Sequence, residues 1–228
     1  MVDARDMARL RRLVYARLPI ALAVMVAIWL LAAGTLRYWQ AWLVGGTFLV
    51  LLLGVGTFLL LADPEFLLKR VQFREKEAAQ RSVMRIWSLL TIAAMVLPAL
   101  DARFGWSRVP ALLCVAGYVL MLAAYAFVLW VFRTNRYASR IVEVQPGQTV
   151  ISTGPYAVVR HPMYGSQLVM LPALMVALGS WWSAALVLLI VIPLVMRIRN
   201  EEEVLRRDLP GYAEYCERIR YRLIPGVW

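Results

Sequence analysis

Two short polar stretches interrupt a chain that is otherwise mostly hydrocarbon, and they hold the residues able to do chemistry. The first, residues 152–165, reads STGPYAVVRHPMYG and contains the only histidine, His161. Pro155 and Pro162 fix their own φ and push Gly154 and His161 away from helix, which predicts a shaped loop running into a helix. Backbone N–H groups at such a helix start favour an anionic partner, a bound carboxylate for example. A lone histidine near a membrane surface is commonly structural. Here Arg160, Pro162 and Tyr164 crowd polar groups onto one rigid turn, and that setting favours a site for something small and polar.

The second stretch is Arg197 followed by Glu201, Glu202 and Glu203. Arg197 and Glu201 are four apart and share a helical face; the plainer reading is a solvated helix end whose ion pair is worth a few tenths of a kcal/mol. Against it, three adjacent carboxylates at an inner membrane boundary repel one another and the anionic surface, which an organic cation would relieve. The tail that follows, LPGYAEYCERIRYRLIPGVW, mixes Tyr212, Tyr215, Tyr221 and Trp228 with arginines. It is expected as an interfacial helix lying on lipid, with a lid over a site as the alternative. Asn135, among arginines, is placed to reach the central loop. Asp101 and Arg103 read as a surface pair, and Trp29, Trp87, Tyr125 and Trp130 as packing or lipid contacts. Cys114 and Cys216 fall on distant segments outside any metal-spaced cluster, so neither a disulfide nor a metal site is expected.

The elements that must position these residues are membrane helices. Hydrophobic residues make up 62% of the chain and mean hydropathy is +0.66, which puts it in the membrane class. Apolar runs fall at about 18–36, 42–62, 83–100, 109–132, 164–178 and 181–197, the last two short for a bilayer that needs about 20 helical residues. The expected fold is all-α, a polytopic helix bundle of six transmembrane segments, or five if the last pair is one broken span. The first run lacks a small-residue cleavage site and reads as a retained helix. One membrane domain over 1–228 is expected, with four helices in 1–132 and a cofactor loop, helical hairpin and tail in 133–228.

Net charge is +11, and where the cations fall explains it. With the N-terminus in the cytoplasm, 22 of the 25 Lys and Arg lie on one face; only Arg37, Arg103 and Arg108 lie on the other. The inner set includes Lys69, Arg70, Arg74, Lys76 and Arg81 after the second run, and Arg136, Arg140 and Arg160 around the histidine. This is the positive-inside pattern of a multi-pass protein with both termini cytoplasmic, and it removes the need for a nucleic-acid partner. A bacterial-type inner membrane is the expected location.

GPYAVVRHPMYG, a hydrophobic hairpin, RIRNEEEVL and a tyrosine-bearing tail together resemble the isoprenylcysteine carboxyl methyltransferases and related membrane methyltransferases, phospholipid N-methyltransferases among them. The resemblance covers residues 135–228 and rests on Arg-His-Pro-x-Tyr-x-Gly with a downstream Glu-Glu-x-x-Leu. It implies an integral membrane enzyme that binds S-adenosylmethionine at the cytoplasmic edge without a Rossmann domain. Residue by residue it implies a cofactor site of Val150, Ile151, Thr153, Gly154, Pro155 and Tyr156, with His161, Tyr164 and Glu201. Arg197 and Glu202 would lie near the transfer site as the catalytic pair.

The chemistry suits both stretches. S-adenosylmethionine carries a sulfonium, an ammonium and a carboxylate, so its site needs acidic and basic or N–H-rich handles. Transfer to a carboxylate neutralises charge, which a dry pocket favours, and Arg197 would hold that carboxylate. An amine acceptor must instead lose a proton, which makes His161 or Glu202 a candidate base. The expected activity is carboxyl O-methylation of a prenylcysteine-like substrate. Phospholipid amine N-methylation and NADPH-dependent reduction of a membrane enone or sterol are the alternatives, and a non-catalytic scaffold is a third class. The expected partners are a lipophilic acceptor from the bilayer and membrane lipids. Gly45, Gly46, Gly54 and Gly56 permit close helix packing, which leaves the oligomeric state open.

Overall fold

The structure, a computed structural model, describes residues 3–70, 78–137 and 144–228, with the side chains of 69–70 and 78–81 left aside. It is all-helical among the described residues. The helices are α1 (Ala4–Ala33), α2 (Trp39–Ala62), α3 (Pro64–Arg70), α4 (Ala78–Phe104), α5 (Ala111–Thr134), α6 (Pro162–Ala177), α7 (Trp181–Asp208) and α8 (Tyr212–Arg218). Five of these, α1, α2, α4, α5 and α7, are long and apolar enough to cross a membrane. A shorter apolar helix, α6, has 16 residues and rises roughly 24 Å.

Only one of the two expected short segments is therefore short. The run at 181–197 continues without a break into Asp208, so Arg197 and Glu201–Glu203 ride on the projecting end of a 28-residue helix. α6 nonetheless connects the two ends of the bundle, as the contacts at each end show. At the end away from His161, Tyr38 donates to the carbonyl of Leu178, and the α6–α7 turn meets the loop after α4. At the other end Leu10, Val14, Leu60 and Leu67 form one cluster, Arg136 pairs with Asp63, and Phe66 meets the Phe132 ring edge-on. Arg74, Lys76 and Arg140, counted above in the charge asymmetry, lie outside the described residues, as do the side chains of Lys69, Arg70 and Arg81.

Asp101 is not a surface residue. It is 0% exposed and accepts from the Ser107 amide at 2.6 Å, the Ser107 hydroxyl at 2.6 Å and the Ser180 hydroxyl at 2.5 Å. Ser180 in turn caps α7 by accepting from the Ser183 amide. The carboxylate thus ties the α4–α5 loop to the α6–α7 turn, while Arg103 remains exposed.

Small residues let the helices close in, as membrane packing requires in the absence of a hydrophobic drive between helices. A side chain at Gly117 would meet the Ala173 carbonyl at 2.9 Å, so α5 and α6 pack backbone to backbone. Added Cβ atoms at Gly45 and Gly56 would meet Val26 at 2.5 Å and Val14 at 2.7 Å. These two glycines serve the packing of α1 on α2 within the chain. Trp29, Met121, Met175 and Leu178 anchor the main core.

Asp101→Ala leaves two hydroxyls and an amide without their acceptor. It is expected to lower stability by about 3 kcal/mol, read as a lower unfolding temperature by tryptophan emission in detergent. Arg103→Ala should stay within about 0.5 kcal/mol of the parent.

Candidate functional site

Local sequence shapes the loop before α6 as expected. Thr153 is extended, Gly154 takes φ +57° and Gly154–Ala157 form a single 3₁₀ turn carrying Pro155. Gly154 is needed twice over: its backbone is left-handed, and a Cβ there would sit 3.1 Å from the Thr134 hydroxyl at the end of α5. His161 precedes Pro162 and stands just outside α6 with φ −125°. Three residues on, Tyr164 lies one turn above it, and the two rings stack at 5.7 Å with planes 25° apart.

Behind this turn sits Glu202, 3% exposed. Its Oε1 accepts from Arg160 Nε at 2.7 Å and lies 3.2 Å from His161 Nε2; its Oε2 accepts from Arg222 Nε at 3.0 Å. Arg160 also donates to the carbonyls of Ile219 at 2.7 Å and Arg220 at 2.9 Å. Backbone N–H groups of Arg160 and His161 donate to the carbonyls of Tyr221 and Arg222. Burial works against the Arg160 charge, but the hydrogen bond and attraction from Glu202 outweigh it and raise the guanidinium pKa, so the residue stays a cation. The loop before α6, the end of α7 and the tail are joined through one carboxylate.

One helical turn back along α7, Arg197 is buried and donates through Nε to the Tyr164 hydroxyl at 2.7 Å. That hydroxyl donates to Glu201 Oε2 at 2.7 Å. The i,i+4 relation read from the sequence is thus mediated by a tyrosine from α6, and both residues face inward.

These groups border a cavity of about 830 Å³ including its mouth, within the range of small-ligand sites. Of the candidate residues, Val150, Ile151, Tyr156, His161, Tyr164, Arg197 and Glu201 line it. Thr153, Gly154 and Pro155 shape the turn without lining it, and Glu202 stands behind the wall. Asn135 reaches the cavity.

The far wall comes from the tail, where reasoning from sequence looked for lipid contact. Tyr212, Tyr215 and Cys216 on α8 are buried against Leu209, Val144, Val150 and Leu205, and the Tyr215 hydroxyl donates to the Tyr156 carbonyl at 2.8 Å. The tail helix is therefore part of the site. The Tyr212–Tyr215 spacing, one turn on a short helix, was the available signal. The Tyr212 hydroxyl is buried with no partner among the described residues beyond the weakly bonding Cys216 thiol beside it. Burial, reinforced by the negative field of Glu202, pushes its pKa up, so it remains a proton donor.

Glu202→Ala leaves the buried Arg160 cation unpaired. A loss of about 3–5 kcal/mol is expected, with faster tryptic cleavage at Arg218, Arg220 and Arg222 as the tail detaches. Arg222→Ala, at a half-buried position, should cost about 1 kcal/mol or less.

Comparison with known proteins bears on this same region. The model of the phospholipid methyltransferase family matches residues 112–209, from α5 through the shaped loop and α6 to the end of α7. No curated protein matches the chain. The matched segment contains Arg160, His161, Tyr164, Arg197, Glu201 and Glu202, so the motif that suggested a methyltransferase and the buried cluster described here coincide. Over residues 112–209, the segment that carries the cavity, the chain is thus similar to the phospholipid methyltransferases.

Proposed function

We propose that the protein is an S-adenosylmethionine-dependent methyltransferase acting on a lipid-type acceptor at the edge of the membrane. The observation that carries the proposal is a polar cavity, set at the end of an apolar bundle, whose wall joins the Glu201 carboxylate and the Tyr212 hydroxyl to the apolar Val150 and Ile151. The donor set suits the cofactor: a carboxylate for its cationic groups, an orphaned hydroxyl for a polar edge, and apolar side chains for a flat ring. When bound, S-adenosylmethionine supplies an electrophilic methyl group on a sulfonium.

Each residue then has a definite task. Val150, Ile151 and Tyr156 hold the cofactor, with Thr153, Gly154 and Pro155 setting the path of their loop. Tyr164 keeps Glu201 and Arg197 at hydrogen-bonding distance of its own hydroxyl, so acidic and basic groups meet on one wall. Arg197 stands at the acceptor end. Glu202 is a positioning residue, since Arg160, His161 and Arg222 occupy both of its oxygens. Holding donor and acceptor in line is the main catalytic task, worth up to roughly 7–11 kcal/mol.

The reductase alternative needs free cations for the extra phosphate of NADPH. Arg136 pairs with Asp63, Arg160 is committed to Glu202 and two tail carbonyls, and Arg140 lies outside the described residues. The charge asymmetry supports placing the cavity end in the cytoplasm with both termini.

Isothermal titration of S-adenosylhomocysteine into detergent-purified protein should show saturable binding, weakened tenfold or more by Glu201→Ala through loss of a charge-assisted contact. Tyr212→Phe should weaken binding while leaving the unfolding temperature unchanged or higher, because it removes an unsatisfied buried hydroxyl. Saturable binding of NADPH and not of S-adenosylhomocysteine would sink the proposal.

A further inference from the structure

Beyond α8 the chain turns away from the cavity. Residues 222–228 read Arg-Leu-Ile-Pro-Gly-Val-Trp and form a small closed loop. Leu223 is buried, yet Ile224 and Val227 stand 50% and 75% exposed, which is a poor arrangement for a loop in water.

The amides of this loop are bonded almost entirely within it. Those of Arg222, Leu223 and Ile224 all donate to the Trp228 carbonyl, at 2.9, 3.0 and 3.2 Å. Those of Val227 and Trp228 donate to the Ile224 carbonyl at 3.1 and 3.2 Å, and Pro225 has no N–H to place. Gly226, left-handed at φ +81°, carries the one amide of the loop without an acceptor among the described residues. A loop in water can leave its amides to the solvent, whereas a non-helical loop at membrane depth cannot. The carbonyls of Pro225, Gly226 and Val227 accept nothing among the described residues, and that sets the tip among headgroups and not at the bilayer centre.

The loop is seated on the flank of the bundle. Leu223 packs with Leu194 and Ile198 of α7 and Tyr164 of α6, and a Cβ on Gly165 would lie 3.5 Å from its carbonyl. Leu223, Ile224 and Pro225 close one end of an apolar groove of about 860 Å³ in the crease between α5 and α6. From Phe127 the groove follows α5 for roughly 10 Å to Leu120, itself half exposed, and opens past Val169. It shares no lining residue with the cavity. Since α5 is long and apolar enough to cross a membrane, the medium outside this crease is hydrocarbon.

We propose that the 222–228 loop is a membrane anchor embedded at the interface, and that the crease beside it is filled by an acyl chain of a bilayer phospholipid. Ile224 and Val227 meet hydrocarbon. Arg218 and Arg220, exposed just before the loop, stand at the level of anionic phosphates. Trp228, with the Arg222 guanidinium 5.1 Å from its ring, suits the headgroup layer, where tryptophan is enriched. Arg222 leads into the loop and donates to Glu202, so the bilayer holds one end of the strap that closes the polar cluster. The anchor depends on the chain lying in a membrane and not on the methyltransferase reading, so loss of either leaves the other standing.

The test uses the full chain in nanodiscs of phosphatidylethanolamine and phosphatidylglycerol. Cys114 and Cys216 are buried, so the parent protein treated with a nitroxide reagent is the blank. Labels at Ile224→Cys and Val227→Cys are expected to favour collision with oxygen over a water-soluble nickel chelate several-fold more than a label at Glu217→Cys, on the exposed side of α8. Equal nickel access at 217 and 227 overturns the anchor. Dipolar broadening between copies also overturns it, since a second chain and not lipid would then cover the loop. Val227→Asp would be neutral in water; in the bilayer it should draw the loop out and raise tryptic cleavage at Arg220 and Arg222 about tenfold, with Val227→Leu cleaved like the parent. Unchanged cleavage in Val227→Asp counts against the anchor equally. Native mass spectrometry should show one retained phospholipid, reduced several-fold in Val169→Trp, whose ring occupies the crease. A chain without phospholipid, or an adduct unchanged in that variant, overturns the assignment of the crease.

Discussion

The carboxylate of Glu202 is the point on which the polar half of the molecule turns. Two arginines and an imidazole reach it from the loop before α6 and from the tail, with each of its oxygens engaged. Burying an ion this deeply is costly, and the buried Arg160 and His161 carry most of the compensation, with Arg222 adding less from its half-buried position. Through this one carboxylate the shaped turn, the end of α7 and the tail are held together. That accounts for a cavity whose walls come from four separate segments yet meet within hydrogen-bonding distance.

The apolar half solves a different problem. With lipid around it, the bundle gains little from burying hydrocarbon and relies on close backbone approach and a few strong polar contacts. Gly117 against Ala173, the Ser166 hydroxyl on the Ala124 carbonyl at 2.8 Å and the Trp29 indole on the Met95 carbonyl at 2.7 Å are of this kind. The buried Asp101 fastens the far end. α6 is held along α5 by the first two of these and at its far turn by Asp101, so the register that delivers His161 and Tyr164 is set far from the polar cluster.

What could be read from sequence follows from what is local. Pro155, Gly154 and Pro162 dictate their own backbone, so the turn and its helix were legible. The length of the apolar runs located the five helices long enough to cross a membrane. Arg197 and Glu201 were seen to share a helical side, but that Tyr164 comes between them depends on how α6 packs on α7. Among three adjacent glutamates nothing local distinguishes Glu202, turned inward at 3% exposed, from Glu203, left in solvent. The tail misled for the same reason: tyrosines and arginines suit a membrane surface as well as a cavity wall, and only the groove between α7 and the shaped loop decides. Asp101 looked like half of a surface pair because its true partners, Ser107 and Ser180, are neutral and one of them is 79 residues away.

The shortness of α6 has a consequence for the bilayer itself. A helix of roughly 24 Å falls short of a hydrocarbon layer of about 30 Å, a mismatch that a lipid-facing helix would relieve by thinning the film around it. Yet Val169 is the one exposed residue of α6, so neighbouring helices and not lipid meet most of its surface. The shortfall therefore falls inside the protein, where irregular backbone is tolerated at membrane depth, and the turn that begins α6 can sit low without the film thinning around it.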